Sequence, residues 1–508
     1  MPKSAIPSHP VLSIEQARAH EARLFGGDEG KIWAAMLQAG RAVADAALRD
    51  FEEAGGFPEA GRVLVLAGTG NNAGDALIAA REVLERHPKA AGDVLFAFGP
   101  RKLGPFAARA WRDLSEASDG RAREAGAGAL SGDYDLCIGG IFGFQFRPPL
   151  PPEARAAIAA AARCRVRLRA AVDLPSGWDE PGAFSADFTY ATGSVKAPLL
   201  GSAHAGRPRY LDLGFFRGER EDKAGTQEGD RVILPSILGP LAGLRPATSD
   251  KRSQGHLVIV GGSLSFPGAV LMATLSALRS GAGLVTSFVP RSLAAAFAAR
   301  APEAMWVGLP ETPGGGLAQG GLERVMGGIE RATALAIGPG LGRDPETLSL
   351  AMEIVKGSPV PLVIDADALQ PDIVRAGKAP RIATPHAGEF ARIAFGADLR
   401  ELCRALPGVV IKKGPVTCVS DGGAVYHSLS GGPVLSRGGS GDILSGLVGG
   451  LLAQTPEDPL TAACRGAVWH GMAADLLARS RGQTAVEILQ LLDFLAPALR
   501  EAAVSQAD

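Results

Sequence analysis

Two patterns of apolar and polar positions alternate along the chain. Short runs of nearly continuous apolar residues, at 62–67 (RVLVLA), 93–98, 134–138 and 168–172, predict strands buried on both faces. Residues 11–48 predict mostly amphipathic helix, and 74–87 a second helix that opens after a glycine-rich turn. The second half repeats the alternation. Strands are predicted at 256–260, 284–289, 334–337, 362–364, 409–412 and 417–420, and helices at 268–280, 345–356, 443–452, 460–478 and 486–499. Alternation of this kind predicts an α/β fold in each half, built on a parallel sheet covered on both sides. Between the halves, 217–230 (RGEREDKAGTQEGD) is charged and aperiodic. It predicts a linker and two unlike domains, 1–225 and 231–508.

Composition changes this picture in three ways. The formal net charge is −1, which excludes a general electrostatic nucleic-acid binder, and 6% aromatic residues disfavour base-stacking platforms. Five cysteines without a CxxC give neither a disulfide framework nor a zinc site. The first twenty residues hold no apolar core of a secretory signal, and no run reaches the ~18 apolar residues of a membrane helix, so a cytoplasmic protein is expected. Glycine is the surplus: 67 of 508 residues, against a usual share of about 7%. Such a surplus in a periodic chain is expected at turns and where backbone closely approaches a ligand.

The first glycine turn, Gly68-Thr69-Gly70-Asn71-Asn72-Ala73-Gly74-Asp75, follows a strand and opens a helix. It matches GxGxxA, but the next strand ends Ala97-Phe98-Gly99 without the acidic residue that would hold a ribose, so a hydride-transfer dinucleotide site is disfavoured. Asn71, Asn72 and Asp75 offer oxygens for a hydroxylated ligand or a hard cation; alternatively the two Asn residues only cap the helix. Asp173, in AVDLPSG just beyond a buried strand, is a candidate general base or the start of an Asx turn.

In order, NNxGD, (V/I)xxxFG, VDLPSG and GxxKxxLL at 193–200 resemble the NAD(P)HX epimerase domain, over about residues 10–215. The resemblance implies a Rossmann-like three-layer domain that interconverts R and S epimers of hydrated NADH or NADPH. It implies that Asn71, Asn72, Ala73, Gly74 and Asp75 contact substrate, that Asp173 is the base, and that Asn72 and Ser176 help hold potassium. One loop departs from the family. Where members read VDALFGTG, this chain reads Ile138-Gly139-Gly140-Ile141-Phe142-Gly143-Phe144-Gln145. Gly139 replaces the aspartate expected to bind potassium, and Phe144 and Gln145 replace small residues expected beside phosphate. Loss of the carboxylate removes charge compensation for a cation. Epimerisation is therefore expected either impaired or intact, with potassium binding in doubt.

The second half carries Arg437-Gly438-Gly439-Ser440-Gly441-Asp442 ahead of a helix. Glycine N–H groups and a helix N-terminus can gather an anion there, and Asp442 in the first turn can activate a hydroxyl beside it. The alternative is a flexible loop whose acidic residue only matches the helix dipole. No Walker P-loop is present. His386 and Glu389 stand three apart near a helix start, without further zinc ligands, so His386 reads as a capping or packing residue. Asp365 and Asp367 end a buried strand, where they orient substrate or Mg²⁺, or cap the next helix.

The blocks GHLVIVGGS, FPGAV, LRSGAGLVT, PEAM, IGPGLG, VIDADAL, TPHAGEF, KKG and GGSGD, over about 250–480, resemble the ADP/ATP-dependent NAD(P)H-hydrate dehydratases, which have a ribokinase-like α/β fold. The whole chain is similar to the bifunctional NAD(P)H-hydrate repair enzymes. This implies that Ala269, Gly340, His386 and Asp442 contact hydrated cofactor, with Asp442 catalytic. It implies that Lys413, Gly414, Pro415, Val416, Thr417 and Gly441 hold ADP (or ATP) with Mg²⁺. It further implies a small-molecule substrate, NAD(P)HX, and a homo-oligomer, with no nucleic acid or membrane partner. The rival is a ribokinase-type small-molecule kinase with a non-catalytic ligand-binding N-terminal module.

Overall fold

The computed structural model describes residues 5–217 and 229–504. These fall into two units, 9–217 with 478–483, and 229–477 with 5–8 and 484–504. Most of the expected linker, 217–230, lies outside the described residues.

The N-terminal unit holds nine strands: β1 (Ser8–Leu12), β2 (Arg62–Ala67), β3 (Ala91–Phe96), β4 (Ala122–Glu124), β5 (Asp133–Gly140), β6 (Arg165–Val172), β7 (Phe188–Thr192), β8 (Val195–Lys196) and β9 (Arg207–Leu211). Seven form one parallel sheet in the order β4-β3-β2-β5-β6-β7-β9. β1 and β8 pair in parallel outside that seven-stranded sheet. Helices Glu29–Phe51, Asn71–Arg86 and Pro105–Ala117 share a core with one sheet face, and helix Pro152–Ala162 with the other. The result is three layers. The chain runs one way from β2 through β3 to β4 and the other way from β5 to β9, so strand order reverses between β2 and β5. Crevices at the carboxyl ends of strands on either side of such a reversal are where open parallel sheets bind ligands. Gly68 and the 139–145 loop lie there. A Cβ on Gly68 would stand 2.0 Å from the Ile141 carbonyl oxygen, so only glycine permits this approach.

The C-terminal unit holds ten strands: β10 (Asp230–Ile233), β11 (His256–Val260), β12 (Leu284–Pro290), β13 (Met305–Leu309), β14 (Ala334–Ile337), β15 (Leu362–Ile364), β16 (Arg381–Ala383), β17 (Gly408–Lys412), β18 (Thr417–Ser420) and β19 (Val425–Ser428). Their order is β13-β12-β11-β14-β15-β16-β17-β18-β19-β10. Pairing is parallel except where β18 runs against both β17 and β19. Again the order reverses beside the first strand of the parallel run, between β11 and β14.

All ten strands expected from sequence are present, within a few residues at their ends. The predicted helical stretch 11–48 is instead the tail of β1 and two helices, Ile14–Phe25 and Glu29–Phe51, separated where Gly26 closes the first in the left-handed conformation. The predicted helix 486–499 is a 3₁₀ segment, Ile488–Phe494, followed by helix Leu495–Val504. Strand β16 escaped the hydrophobic pattern because it is three residues long and begins with an arginine. Arg381 is fully buried, and its guanidinium donates to the carbonyls of Val374, Ala376, Gly377 and Ala379. Those bonds replace the water that a buried cation would otherwise lose.

Two candidate active sites

In the N-terminal unit a cleft of about 540 Å³ opens at the carboxyl ends of β2, β5 and β6. Its floor is the pair Asp173–Lys196. Asp173 sits just past β6 with φ +65°, a left-handed conformation rare outside glycine, fixed by its N–H donating to the Tyr190 carbonyl. One carboxylate oxygen lies 2.5 Å from Lys196 Nζ, and the other accepts the Phe144 N–H at 2.9 Å. Lys196 is buried, donates to the Thr192 carbonyl at 3.1 Å and faces the Phe144 ring. Phe144 is thus held against the ion pair by its N–H on one side and its ring on the other.

Two further carboxyl groups line the same cleft, Asp75 from helix Asn71–Arg86 and Glu21 from helix Ile14–Phe25. Burial pushes Asp75 well above the ordinary carboxylate range, with the negative charges of Asp173 and Glu21 adding to it. Burial also pushes Glu21 up to about 7, against the pull of Lys196 and with a smaller push from Asp173. Asp75 Oδ1 and Asn72 Nδ2 are buried without a hydrogen-bond partner among the described residues. Polar atoms left so are costly unless a ligand completes them.

Of the sequence-derived set, Asn71, Asn72, Asp75 and Asp173 meet in this cleft. Ala73 and Gly74 face inward instead: Ala73 is fully buried, and a Cβ on Gly74 would collide with Met36. Ser176 is buried and occupied within the fold, its hydroxyl accepting the Phe142 N–H at 2.9 Å and donating to the Phe142 carbonyl at 3.2 Å. The position of the missing aspartate is filled. A Cβ on Gly139 would come within 2.8 Å of the Phe184 ring.

Sequence reasoning missed Glu21 and gave Lys196 no role. A single lysine in the apolar run Val195-Lys196-Ala197-Pro198-Leu199 was a usable signal, since a buried cation demands a buried anion. Nothing distinguished Glu21 from the other charges of its helix.

In the C-terminal unit, three adjacent strand ends assemble the charged groups. Asp365 follows β15, Thr384 follows β16 and Lys413 follows β17. Asp365 Oδ1 accepts from the Thr384 hydroxyl at 2.6 Å and from Lys413 Nζ at 3.1 Å. Burial works against charge on Lys413, but Asp365, Glu389 and Asp442 outweigh it and hold the ammonium above its usual range. Lys413 also reaches the glycine loop, its Nζ 3.2 Å from where a Cβ on Gly441 would stand. Gly414 and Pro415 are exposed, and Val416 and Thr417 half-buried.

The loop itself ends in helix Ser440–Gln454, which starts at Gly439 (φ +95°) without a side-chain cap. The Ser440 N–H donates to the Arg437 carbonyl at 3.3 Å, and the N–H groups that follow it, without a side-chain cap, can meet an anion. Asp442 lies in that turn. Burial pushes it up to about 7, Asp365 and Asp367 adding to the shift and Lys413 opposing it. Beneath the loop, His470 is buried against the Ser440 backbone, and burial drives it down to about 4, so it is neutral at physiological pH.

The predicted cofactor contacts converge on the same loop. A Cβ on Gly340 would touch Ala269, and helix Pro267–Arg279, which carries Ala269, places Met272 against Gly439. His386 caps helix Ala387–Ala394: its Nδ1 accepts the N–H groups of Gly388 and Glu389, and Glu389 returns a bond to the His386 N–H. With Nδ1 accepting, the ring proton is assigned to Nε2, on a side chain 62% exposed. Capping and ligand contact are thus compatible. Asp365 and Asp367 do not cap: Asp365 binds Thr384 and Lys413, and Asp367 binds the Gly342 N–H and Arg343.

Family models match both halves of the chain. The family model described as NAD(P)H-hydrate dehydratase matches residues 257–496, and that described as YjeF-related protein N-terminus matches 34–197. A bifunctional NAD(P)H-hydrate repair enzyme from Gloeobacter violaceus is 35% identical over 96% of this chain and 98% of its own. One from Moorella thermoacetica is 32% identical over 92% of each. A solved ADP/ATP-dependent NAD(P)H-hydrate dehydratase from Bacillus subtilis, co-crystallised with ATP/Mg²⁺, is 27% identical over 51% of this chain and 94% of its own, with a TM-score of 0.43. With such identity running through both halves to nearly full length, the chain belongs to the family of bifunctional NAD(P)H-hydrate repair enzymes.

Proposed function

We propose that the chain restores hydrated nicotinamide cofactors in two steps. Region 231–508 dehydrates the S epimer of NAD(P)HX at the expense of ADP, and region 1–225 converts the R epimer to S. The observation that carries the first step is Asp442: a half-buried carboxyl pushed up to about 7, in the first turn of an uncapped helix, with Lys413 at the same loop. A group that titrates near the working pH is suited to take a proton and return it.

The substrate hydroxyl lies on C6 of the hydrated nicotinamide ring. Asp442 removes its proton as the oxygen attacks the terminal phosphoryl group of the nucleotide. The loop N–H groups and Lys413 stabilise the charge that develops on the transferring group. Expulsion of phosphate from C6, driven by the ring-nitrogen lone pair, leaves an iminium ion, and loss of the C5 proton then restores the dihydropyridine. Lys413 through Thr417 and Gly441 hold the nucleotide, while Ala269, Gly340 and His386 contact the cofactor.

The donor set suits Mg²⁺ brought with the nucleotide. Asp365, Glu389 and Asp442 surround a single lysine, Lys413, an excess of negative charge. Magnesium that arrives with a nucleotide is held by one or two carboxylates and phosphate oxygens, which Asp365 and Asp442 can supply in part. Magnesium there would neutralise phosphate charge.

Potassium does not fit the N-terminal cleft. Phe184 fills the space of the missing carboxylate, Ser176 is bonded to Phe142, and Asp173 is neutralised by Lys196. The reading is therefore a potassium-independent epimerase. Asp173 acts within its pair with Lys196, and Glu21 and Asp75 are the protonated groups able to assist departure of the C6 hydroxyl.

The test feeds the full chain mixed R and S NADHX with ADP and Mg²⁺ and separates the epimers by chromatography. Consumption of both, with NADH formed and no potassium required, is the expected result. Persistence of S rejects the dehydratase; persistence of R alone, beyond its slow spontaneous conversion, rejects the epimerase.

A further inference from the structure

Four of the five cysteines, Cys137, Cys164, Cys403 and Cys464, are buried, whereas Cys418 is half-exposed. Burial pushes the Cys137 and Cys403 thiols up to about 12 and Cys464 well above the ordinary range, which makes them poor nucleophiles.

Cys418 stands in a built environment. It lies in β18 directly opposite His427 of β19, and β10, on the far side of β19, begins with Asp230. Cys418 Sγ is 3.4 Å from His427 Nδ1, and His427 Nε2 is 3.1 Å from Asp230 Oδ2. The other oxygen of Asp230 is held at 2.5 Å by Arg400, from helix Leu399–Ala405. Three neighbouring strands thus deliver a nucleophile, a base and a carboxylate that orients the base, in one line of hydrogen bonds. The repair chemistry uses none of the three. His427 is buried, which opposes its charge, yet Asp230 and Cys418 outweigh burial and push it up to about 9. At neutral pH it is an imidazolium with one N–H directed to Asp230 and the other to sulfur. An imidazolium so oriented beside sulfur stabilises the thiolate form and can return a proton to a leaving group.

We propose that Cys418, His427 and Asp230 form a thiol-modification site that reacts with small disulfides. In the step, Cys418 sulfur attacks one sulfur of the disulfide RS–SR; the new S–S bond forms as the old one breaks, and the electron pair leaves with the second sulfur. Cys418 reacts as its thiolate, and the His427 imidazolium gives one proton to the departing thiolate, so the products are the mixed disulfide, one RSH and neutral His427. The disulfide is the oxidant, and no other co-reactant is needed.

The experiment adds dithiobis(nitrobenzoate) to the reduced full-length protein, follows release of the coloured thiolate, and maps the adduct by peptide mass spectrometry. The expected result is a single fast phase assigned to Cys418, at least about tenfold faster than the same cysteine in the unfolded chain at the same pH. The phase should vanish in Cys418→Ser and slow about tenfold in His427→Asn. Asp230→Asn, which changes volume little, should slow it too, with folding of each variant checked by circular dichroism. A fast phase on another cysteine, or a Cys418 rate unchanged in folded His427→Asn or Asp230→Asn, overturns the proposal. The readout involves no nucleotide or cofactor, so it stands or falls separately from the repair activity.

Discussion

The two sites solve one electrostatic problem in opposite ways. Each sits at the carboxyl ends of parallel strands, and each surrounds one buried or half-buried lysine with several carboxyl groups. In the N-terminal unit Lys196 is taken by Asp173, the residue expected to be catalytic, and Glu21 and Asp75 are left to hold protons. In the C-terminal unit Lys413 is taken by Asp365, which leaves the expected catalytic residue, Asp442, pushed up to about 7. The difference lies in which carboxylate the lysine meets: burial, with the charge of that carboxylate added, pushes Glu21 and Asp442 up to about 7 and Asp75 well above the ordinary range.

The largest effect is expected at Asp442. Asp442→Asn should lower dehydratase turnover by about 10²–10⁴-fold while ADP binding persists, measured by steady-state rate and by calorimetric titration. The same variant should be more stable than the parent above pH 7. The native pKa is about 7 against 3.8 as the ordinary value, so folding disfavours ionisation. Stability from this group is full below about pH 4 and falls as pH rises toward 7. Loss of weight on the paired side should cost stability instead. Lys196→Met leaves Asp173 buried without its cation, and chemical denaturation should show a loss of about 3–5 kcal/mol. Lys413→Met should lose less, because its site is more exposed and Thr384 still bonds Asp365. Equal losses would break the comparison.

Next in size is Gly139→Asp. If the Phe184 ring holds that space, restoring the family carboxylate overpacks it and costs about 1–3 kcal/mol without creating potassium dependence. Potassium-stimulated epimerisation in this variant would contradict the fit described for the cleft. Glu21→Gln should slow epimerisation by roughly tenfold and remove a pH transition near 7. A retained transition would transfer the proton to Asp75.

Much of this was legible in the sequence, for identifiable reasons. Apolar runs such as Arg62–Ala67 and His256–Val260 specify buried parallel strands almost by themselves, and Asp442 announces itself by standing behind four loop residues, three of them glycine. Strands β7 and β16 were missed because one mixes polar residues with aromatics and the other is too short for any period. Glycine misled in one place. At Gly139 the absent side chain reads as a lost carboxylate, which it is, but the fold has used the space for Phe184, which no local pattern encodes. Pairing was also invisible: Lys196 and Asp173 lie 23 positions apart, and only the fold decides which carboxylate a lysine meets.

The central claim is that burial and the negative charge of Asp365 together push Asp442 up to about 7. The direct test is the pH dependence of kcat/KM for dehydration of S-NADHX in the parent and in Asp365→Asn. The account predicts a rising limb with its midpoint near 7 in the parent, displaced to lower pH in the variant. There the repulsion is gone and Lys413 is free to pair with Asp442. The same midpoint in both proteins, or a shift to higher pH, would contradict it.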